Sequence, residues 1–282
     1  MHKLSDTFIA ILQHGFLVGL LAQVVADKDL DLHFRNSYIN IYYKGNSLLK
    51  LSETSSGYIV EVHEKFQRGL SLPHILTPET IDTFLSLLPH LKDNIVRYGQ
   101  SSLEVEYEQL IIRANNLEVR NNTEYYILDR QYALGRDRFD LIGFYWPRDK
   151  RRRGQEVVPC FLEVKFALNT DIKAIHDQLE RYYTTATTYA SQFAEECQWM
   201  LSQKLELGLF KQSKERLEAM KTLRVSSDSQ QFQFVIVLVD YNPHSTHLNI
   251  EKLQQLAFAS QIKIFRSGFA MWHDILTPLT PI

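Results

Sequence analysis

The sequence is poor in the features that identify several common classes of protein. It contains only two cysteines, Cys160 and Cys197, and both lie within apolar runs. A single disulfide would add little to the core that 282 residues can form, so we expect two buried thiols in a reducing compartment. The formal net charge of −2 argues against a surface coated in basic residues. It is compatible with a local basic groove, because the placement of charges matters more than their sum.

Several motifs of enzyme active sites are also missing. The sequence has no phosphate-binding GxxxxGK[ST] loop, no HExxH zinc motif and no GxSxG nucleophile elbow. No low-complexity stretch indicates a disordered tail, and 45% hydrophobic with 23% charged residues is the composition of an ordinary globular protein. The function therefore has to be sought in a less obvious arrangement of side chains.

Long uncharged runs are scarce, and the exception is Phe8–Ala26, which has no formal charge over 19 residues. This is about the length that spans a bilayer. Its apolar residues follow helical spacing, but three polar residues interrupt it, and Lys3 with Asp6 makes a poor start for a signal peptide. We expect a buried or partner-facing helix, with a membrane or export segment as the alternative. The expected location is cytoplasmic, with no membrane partner.

The residues up to about Ile75 predict a small unit of helix and sheet. Strand-like runs occur at Tyr38–Tyr43, Leu48–Leu51 and Tyr58–His63, separated by turn residues. We therefore divide the chain into an accessory unit at 1–75 and a second domain at 76–282. Nothing in the first unit assembles into a recognisable site. It is the part through which a homodimer or a protein partner would be bound.

The rest of the chain alternates between helical and strand-like patterns. Helices are predicted at Glu79–Tyr98, at Ser102–Asn116, over about eight turns from Asp171 to Met200, in an extra stretch to Leu223 and at Ile250–Ser260. Strands are predicted at Glu124–Leu134, Arg138–Trp146, Val157–Leu168, Phe232–Asp240 and Ile262–Trp272. This order predicts an α/β protein of the α+β kind, with a mixed sheet covered by helices on both faces.

The strand at Val157–Leu168 is apolar on both faces except at Glu163 and Lys165. Because side chains alternate along a strand, these two residues lie on the same face as Phe161. A strand this apolar is normally central and covered on both sides. Burying a carboxylate and an ammonium there is costly unless they are paired or hold a metal. A structural salt-bridge cluster is the alternative, although apolar residues would fill that role at lower cost.

A second acid belongs to the same arrangement. Asp140 lies in the preceding strand, and 22 residues separate it from the Glu163-x-Lys165 pattern. If the two strands are antiparallel neighbours, Asp140 comes close to Glu163. Two carboxylates at a strand end, with the main-chain carbonyl of Val164 as a third ligand, offer the hard oxygens that Mg²⁺ or Mn²⁺ prefers. Lys165 would then position an attacking water or offset charge that develops on a phosphate.

Residues 102–240 resemble the core of the PD-(D/E)xK nuclease superfamily, which has the restriction-endonuclease-like fold. The core of that fold runs α-β-β-β-α-β, and the predicted order matches it with one inserted helix. The resemblance covers about half the chain. Asp with Glu-x-Lys alone is common by chance, and the strand–strand–helix context together with the Gln-xxx-Tyr pattern at Gln178 and Tyr182 makes the match more specific. Phe139 departs from the pattern, since it stands where the proline that names the superfamily would lie.

The resemblance implies a role for each matching residue. It makes Asp140 and Glu163 metal ligands and Lys165 the catalytic lysine. One branch of the superfamily carries Gln-xxx-Tyr in the next helix, and Gln178 with Tyr182 matches it. These two residues could equally be a surface and core pair of a helix. An acid of the first core helix often completes the site, and we select Glu108 there, against the alternative of a solvated acid.

A basic hairpin tip supplies the predicted nucleic-acid contacts. Its residues, together with one arginine nearer the acids, are Arg138, Arg148, Lys150, Arg151, Arg152 and Arg153. A solvated turn is the alternative for this charged run. The resulting hypothesis is a Mg²⁺- or Mn²⁺-dependent nuclease that hydrolyses phosphodiester bonds, with DNA as the expected substrate. The alternative is a catalytically inactive protein of the same fold that binds nucleic acid or scaffolds a nuclease complex.

Overall fold

A computed structural model describes residues 3–35, 37–100, 102–151 and 156–272. These residues form two β-sheets with helices packed on them, which confirms the mixed α and β class. The helices of the described residues are α1 (Asp6–His14), α2 (Val18–Ala26), α3 (Ile81–Tyr98), α4 (Leu103–Ile112), α5 (Ile175–Thr188), α6 (Ala190–Glu206), α7 (Lys214–Met220) and α8 (Ile250–Gln254). The strands are β1 (Leu30–Arg35), β2 (Tyr38–Tyr43), β3 (Asn46–Thr54), β4 (Gly57–Glu61), β5 (Ile75–Leu76), β6 (Tyr125–Leu134), β7 (Asp137–Tyr145), β8 (Glu156–Phe166), β9 (Arg224–Val225), β10 (Gln233–Val239) and β11 (Ile262–Ser267).

The first sheet is an antiparallel meander in which β1 to β5 follow one another in chain order. The three strands predicted from the sequence are present here, and β1 and β5 were not predicted. α3 packs against β3, with Phe84 and Leu88 in the core beneath it. This helix begins at Ile81, two residues later than expected, because the Thr80 hydroxyl accepts the main-chain N–H of Thr77 and holds a turn there.

The uncharged run at Phe8–Ala26 is not one helix. It forms α1 and α2, whose axes differ by 74° across a break of three residues. α1 ends at His14, and at the next residue, Gly15, a Cβ atom would come within 2.8 Å of Ile11. Within the described residues no single helix is long and apolar enough to span a membrane. Taken together, α1 and α2 have sufficient length and apolar composition, but they are bent against each other.

The second sheet carries the predicted core strands in the order β11-β10-β8-β7-β6, and the short β9 pairs with the outer end of β8. β6, β7 and β8 are antiparallel neighbours, while β10 and β11 run parallel to β8. β8 is therefore central, with bonded neighbours on both sides. This is the position that its apolar sequence predicted.

Helices cover both faces of the second sheet. On one face, Phe193 of α6 stacks on Phe161 of β8 with ring centroids 4.4 Å apart. On the other face, Ile112 of α4 packs in a smaller core with Leu162 and Val164 of β8. The predicted covering of the sheet by helices is thus confirmed, with α4 on one side and α5 and α6 on the other.

The prediction of one continuous helix of about eight turns from Asp171 to Met200 is wrong. A 3₁₀ turn at Thr170–Ala174 comes first, and Tyr189 separates α5 from α6. The hydroxyls of Thr187 and Thr188 bond to carbonyls one turn earlier. β-branched residues of this kind favour helices less than unbranched ones do, so the break falls at the end of a threonine-rich stretch.

The helix predicted at Ser102–Asn116 is also shorter than expected. Ser102 caps α4 by accepting the N–H of Val105, as its sequence suggests. α4 ends at Ile112 and a π-helical turn follows. The side chain of Asn116 there donates to the carbonyl of Ile127 and accepts the N–H of the same residue. This pair of bonds ties the turn to β6 and stops the helix from continuing.

The two sheets share one hydrophobic core that contains residues of β1, β2 and β3 together with residues of β6, β7 and β8. Charged groups are buried at the same junction. Arg35 of β1 bonds to both carboxylate oxygens of Asp129 in β6, and His33 lies 2.8 Å from one of them. The first sheet therefore contacts the strand that borders the predicted acids.

Candidate active site

The predicted acids meet where β7 and β8 separate. The last pair in the ladder between these strands is Leu141 with Leu162, and the next residue on each strand is Asp140 and Glu163. The Asp140 carboxylate accepts the main-chain N–H of Val164 at 2.9 Å. The two acids thus lie side by side at the rim of a covered sheet, as the spacing in the sequence predicted.

Glu163 is held by both predicted partners. Lys165 Nζ lies 2.6 Å from one carboxylate oxygen, and the Tyr182 hydroxyl of α5 lies 2.9 Å from the other. The same hydroxyl is 2.6 Å from the carbonyl of Arg138, and Gln178 donates its side-chain amide to it at 2.8 Å. The structure therefore brings Lys165, Gln178 and Tyr182 together around Glu163, which is only 3% exposed.

Glu108 reaches the site from α4. It is buried, and Arg130 of β6 donates to one of its oxygens at 2.9 Å. Gln131 donates to the other oxygen at 2.6 Å and lies 3.4 Å from Asp140. The acid selected in the first core helix is therefore next to the predicted pair and is joined to it through a glutamine side chain.

The backbone is irregular at this point. Phe139 and Leu141 would share a face in a regular strand, yet Phe139 lies in the main core and Leu141 in the smaller core on the opposite face. The alternation of β7 is broken at Asp140, and across from it Gln131 has φ 49°. Such φ values are uncommon outside glycine and cluster at functional sites.

The electrostatics of the cluster favour added positive charge. Burial raises the pKa of Asp140 to about 8, and the carboxylates of Glu163 and Glu108 act in the same direction. Burial also raises the pKa of Glu108, against the opposing effects of Arg130 and Gln131. For Lys165 burial acts to lower the pKa, but Glu163 and Asp140 outweigh it and the net pKa is raised. The ammonium of Lys165 is thus charged at neutral pH.

The oxygen ligands are of the chemical type that a hard divalent cation prefers. The negative charges of Glu163 and Glu108 both act on Asp140, and this repulsion is what a cation would relieve. Val164 faces Asp140 through its N–H, and in a strand the C=O of the same residue points to the same neighbour. No group of three or more His, Cys, Asp and Glu side chains in the described ranges is placed to hold a metal ion by itself. The acids Asp140, Glu163 and Glu108 therefore do not form a complete set of metal ligands by themselves, and the predicted set also needs the main-chain oxygen of Val164.

The predicted nucleic-acid contacts are not gathered at the acids. Arg138 is exposed and lies near Asp140 at the start of β7. Arg148 and Lys150 are exposed but follow the far end of β7. Since Arg148 is eight residues beyond Asp140, an extended strand places them about 26 Å apart.

The other three basic residues of the predicted hairpin tip are Arg151, Arg152 and Arg153. Arg151 is directed inward, where it donates to the side chain of Asn122 at 2.8 Å and to the carbonyl of Thr123. Its guanidinium also lies over the Trp146 ring. Arg152 and Arg153 are outside the described residues. Sequence reasoning placed this basic tip beside the metal site, and the structure places the described part of it at the opposite end of the sheet.

Two residues of the site were not predicted from the sequence. They are Arg130 and Gln131, which follow Asp129 in the apolar strand β6. Their signal was the same conflict that identified Glu163, namely consecutive polar residues in a strand expected to be buried. Arg130 is fully buried and Gln131 half-buried.

No family model matches the chain, and no curated protein or solved structure is similar to it at a significant level. The functional assignment therefore depends on the geometry of the site.

Proposed function

We propose that the chain is a Mg²⁺- or Mn²⁺-dependent nuclease whose active site is the cluster at Asp140, Glu163 and Lys165. The observation that carries the proposal is the meeting of Asp140 and Glu163 at the rim of a covered sheet, with a charged lysine on the second acid. A structural ion pair needs one acid and one base. Here Glu108 adds a third acid, and Asp140 is destabilised by the other two.

The arrangement of the second sheet supports a nuclease core of the restriction-endonuclease-like kind. A helix, three antiparallel strands, further helices and a parallel strand follow one another from α4 to β10. This is the order that the PD-(D/E)xK resemblance implies, with α6 and α7 inserted before β10. On this proposal the second domain at 76–282 carries the reaction, and residues 1–75 support it.

Each residue has a chemical role in phosphodiester hydrolysis. Asp140 and Glu163, with Glu108 and the Val164 carbonyl, would hold the cation, which supplies Lewis-acid stabilisation of a phosphate oxygen. Lys165 presents a fixed positive charge to the negative charge that develops on the phosphate. Tyr182, steadied by Gln178, holds the second oxygen of Glu163 and so fixes the orientation of that carboxylate.

The substrate is proposed to be nucleic acid, with DNA as the first choice. Arg138 is exposed near Asp140, so it is placed to contact a phosphate next to the scissile one. Arg148 and Lys150 would contact the backbone about 26 Å away, which a duplex can reach because it carries phosphates along its whole length.

A cleavage assay on the full chain tests the reaction. Labelled single- and double-stranded DNA and RNA are incubated with Mg²⁺, with Mn²⁺ or with a chelator. Cleavage that requires a cation, and a loss of at least about 100-fold in Lys165→Met and Asp140→Asn, would support the proposal. Comparison of the DNA and RNA arms decides the substrate class.

Lys173→Met is the matched control for Lys165→Met, since Lys173 is exposed on the 3₁₀ turn before α5. It should cleave like the unmodified chain. Cleavage that survives Asp140→Asn or Lys165→Met would refute the assignment. The ion pair between Lys165 and Glu163 also satisfies Glu163 without a metal, which is the observation favouring a non-catalytic nucleic-acid-binding or scaffolding protein. Salt-dependent DNA binding with no cleavage under any condition would favour that alternative.

A further inference from the structure

Gln131 is held in a conformation that its own chemistry disfavours. Among the described non-glycine residues with positive φ, it is the one that lies inside a strand. The others lie in turns, just past strand ends or, for Asn122, at the end of a 3₁₀ helix. A left-handed conformation of such a residue is unfavourable and persists only where the surrounding structure enforces it.

The conformation directs the side chain between two of the acids. The amide of Gln131 donates to Glu108 at 2.6 Å and lies 3.4 Å from Asp140. An amide NH₂ carries two protons, so one group can contact two carboxylates at once. Glu108 is on α4 and Asp140 on β7, two elements that share no backbone ladder. Gln131 is therefore the direct link between them.

The first sheet holds the two residues that precede Gln131. Arg35 of β1 bonds to both oxygens of Asp129 and donates to the carbonyl of Arg130 at 2.8 Å. The guanidinium of Arg130 lies 4.7 Å from the centre of the Tyr42 ring in β2 while it bonds to Glu108. The backbone leading into Gln131 is thus clamped from a sheet that carries none of the proposed catalytic residues.

We propose that Gln131 is a positioning residue that sets the separation of the Glu108 and Asp140 carboxylates, and that Arg35 of the first sheet holds Gln131 in place. This inference rests on the proposed function, because it concerns the same acids. It also gives the first sheet a role. That sheet supports the metal site from outside, through β6.

The test measures Mn²⁺ binding by calorimetry on the full chain, so its readout does not require cleavage. Gln131→Met keeps the length of the side chain but removes the amide. The Mn²⁺ dissociation constant is expected to rise about 10-fold to 100-fold, the usual effect of losing a group that orients metal ligands. The cleavage rate at saturating Mn²⁺ should fall by a smaller factor than the affinity.

Gln192→Met is the matched control, because Gln192 also donates to a glutamate, Glu196, at 3.1 Å but on α6. It should bind Mn²⁺ within twofold of the unmodified chain. Gln131→Asn guards against misfolding, since asparagine tolerates the left-handed conformation but is too short to join the two acids. It should lose affinity like Gln131→Met.

The outcomes separate the two proposals. Unchanged Mn²⁺ affinity in Gln131→Met, with cleavage intact, overturns the positioning role and leaves the nuclease standing. Weakened Mn²⁺ binding in that variant, with no cleavage by the unmodified chain, upholds the positioning role and removes the nuclease. No Mn²⁺ binding by the unmodified chain overturns both.

The contribution of the first sheet is tested by Arg35→Lys, which keeps the charge but cannot bond to Asp129 and Arg130 in the same forked geometry. The Mn²⁺ dissociation constant should rise severalfold while the circular dichroism spectrum stays the same. An unchanged Mn²⁺ dissociation constant in Arg35→Lys would show that Gln131 positions the carboxylates without help from Arg35.

Discussion

Three effects raise the pKa of Asp140. The residue is half-buried, and Glu163 and Glu108 both add negative charge nearby, so its pKa rises to about 8. Lys165 and the N–H of Val164 oppose this rise without cancelling it. A side chain in this state is a cost to folding that a bound cation would remove.

Replacement of this acid should therefore stabilise the metal-free protein. The raised pKa means that Asp140 contributes its full stability below about pH 4 and loses it as the pH rises to about 8. The free energy of unfolding should fall by up to about 1.4 kcal/mol per pH unit in that window. Asp140→Asn should remove this loss, so its advantage over the unmodified chain should grow from pH 4 to pH 8. Urea denaturation in the presence of a chelator measures it.

Asp149→Asn, at an exposed position of the hairpin, is the control for this prediction. Its unfolding free energy should stay within about 0.5 kcal/mol of the unmodified chain at every pH. An Asp140→Asn advantage that is constant across the range would show that the burial of Asp140 is not responsible.

Tyr182 orients Glu163 through its hydroxyl, while its ring packs 4.3 Å from Phe139. Tyr182→Phe should keep the packing and leave one oxygen of Glu163 without this partner. We expect Mn²⁺-supported cleavage to fall about 10-fold and the unfolding free energy to fall by about 1–2 kcal/mol. Tyr183→Phe, next along α5, should change neither by a comparable amount. Full activity of Tyr182→Phe would mean that Lys165 alone is sufficient to orient Glu163.

At the scale of elements, β6 connects the two sheets. Its outer contact is the ion pair between Arg35 and Asp129, and its inner contact is the bond from Gln131 to Glu108. Asp129 is fully buried. Burial acts to raise its pKa, but Arg35 and His33 outweigh that effect and hold the pKa well below the usual range. The buried charge of Asp129 in this strand is thus compensated from β1.

Arg35→Ala should consequently destabilise the whole chain. Removing one partner of a buried ion pair leaves a charge without compensation and costs about 3–5 kcal/mol. Urea denaturation at neutral pH would measure the difference. Arg136→Ala, in the exposed turn between β6 and β7, should cost less than about 0.5 kcal/mol. A loss below about 1 kcal/mol for Arg35→Ala would show that His33 and water can replace the guanidinium.

At the scale of the molecule, the two sheets do not have separate interiors. Phe34 and Leu32 of the first sheet belong to the same core as Tyr126 and Phe161 of the second. Lys204 of α6 is buried and donates to the carbonyl of Leu32. The second domain proposed at 76–282 would lose these contacts if the accessory unit were removed.

The full chain should therefore unfold in a single cooperative transition. Scanning calorimetry should give equal calorimetric and van't Hoff enthalpies. A fragment that begins at Thr77 should show no such transition, since it exposes apolar surface and leaves Asp129 and Lys204 buried without their partners. Two resolved transitions in the full chain would contradict this and indicate that residues 1–75 fold independently.

Much of the local structure could be predicted from the sequence. Strand-like apolar runs located β2, β6, β7, β8 and β10, and the polar positions within the apolar β8 identified Glu163 and Lys165. The loop between β7 and β8 made the two strands antiparallel and brought Asp140 to Glu163. These features depend on residues that are close in sequence, so the local pattern of residues is sufficient to predict them.

Other features depend on contacts between distant parts of the chain. Arg35 and Asp129 are 94 residues apart in sequence, and their bond exists only because the two sheets share a core. The left-handed conformation of Gln131 could not be predicted from local patterns for the same reason. Local residue patterns were enough to identify the acids that meet at the rim of the sheet. The packing of the two sheets against each other decided how those acids are held, because that packing places the groups that orient them.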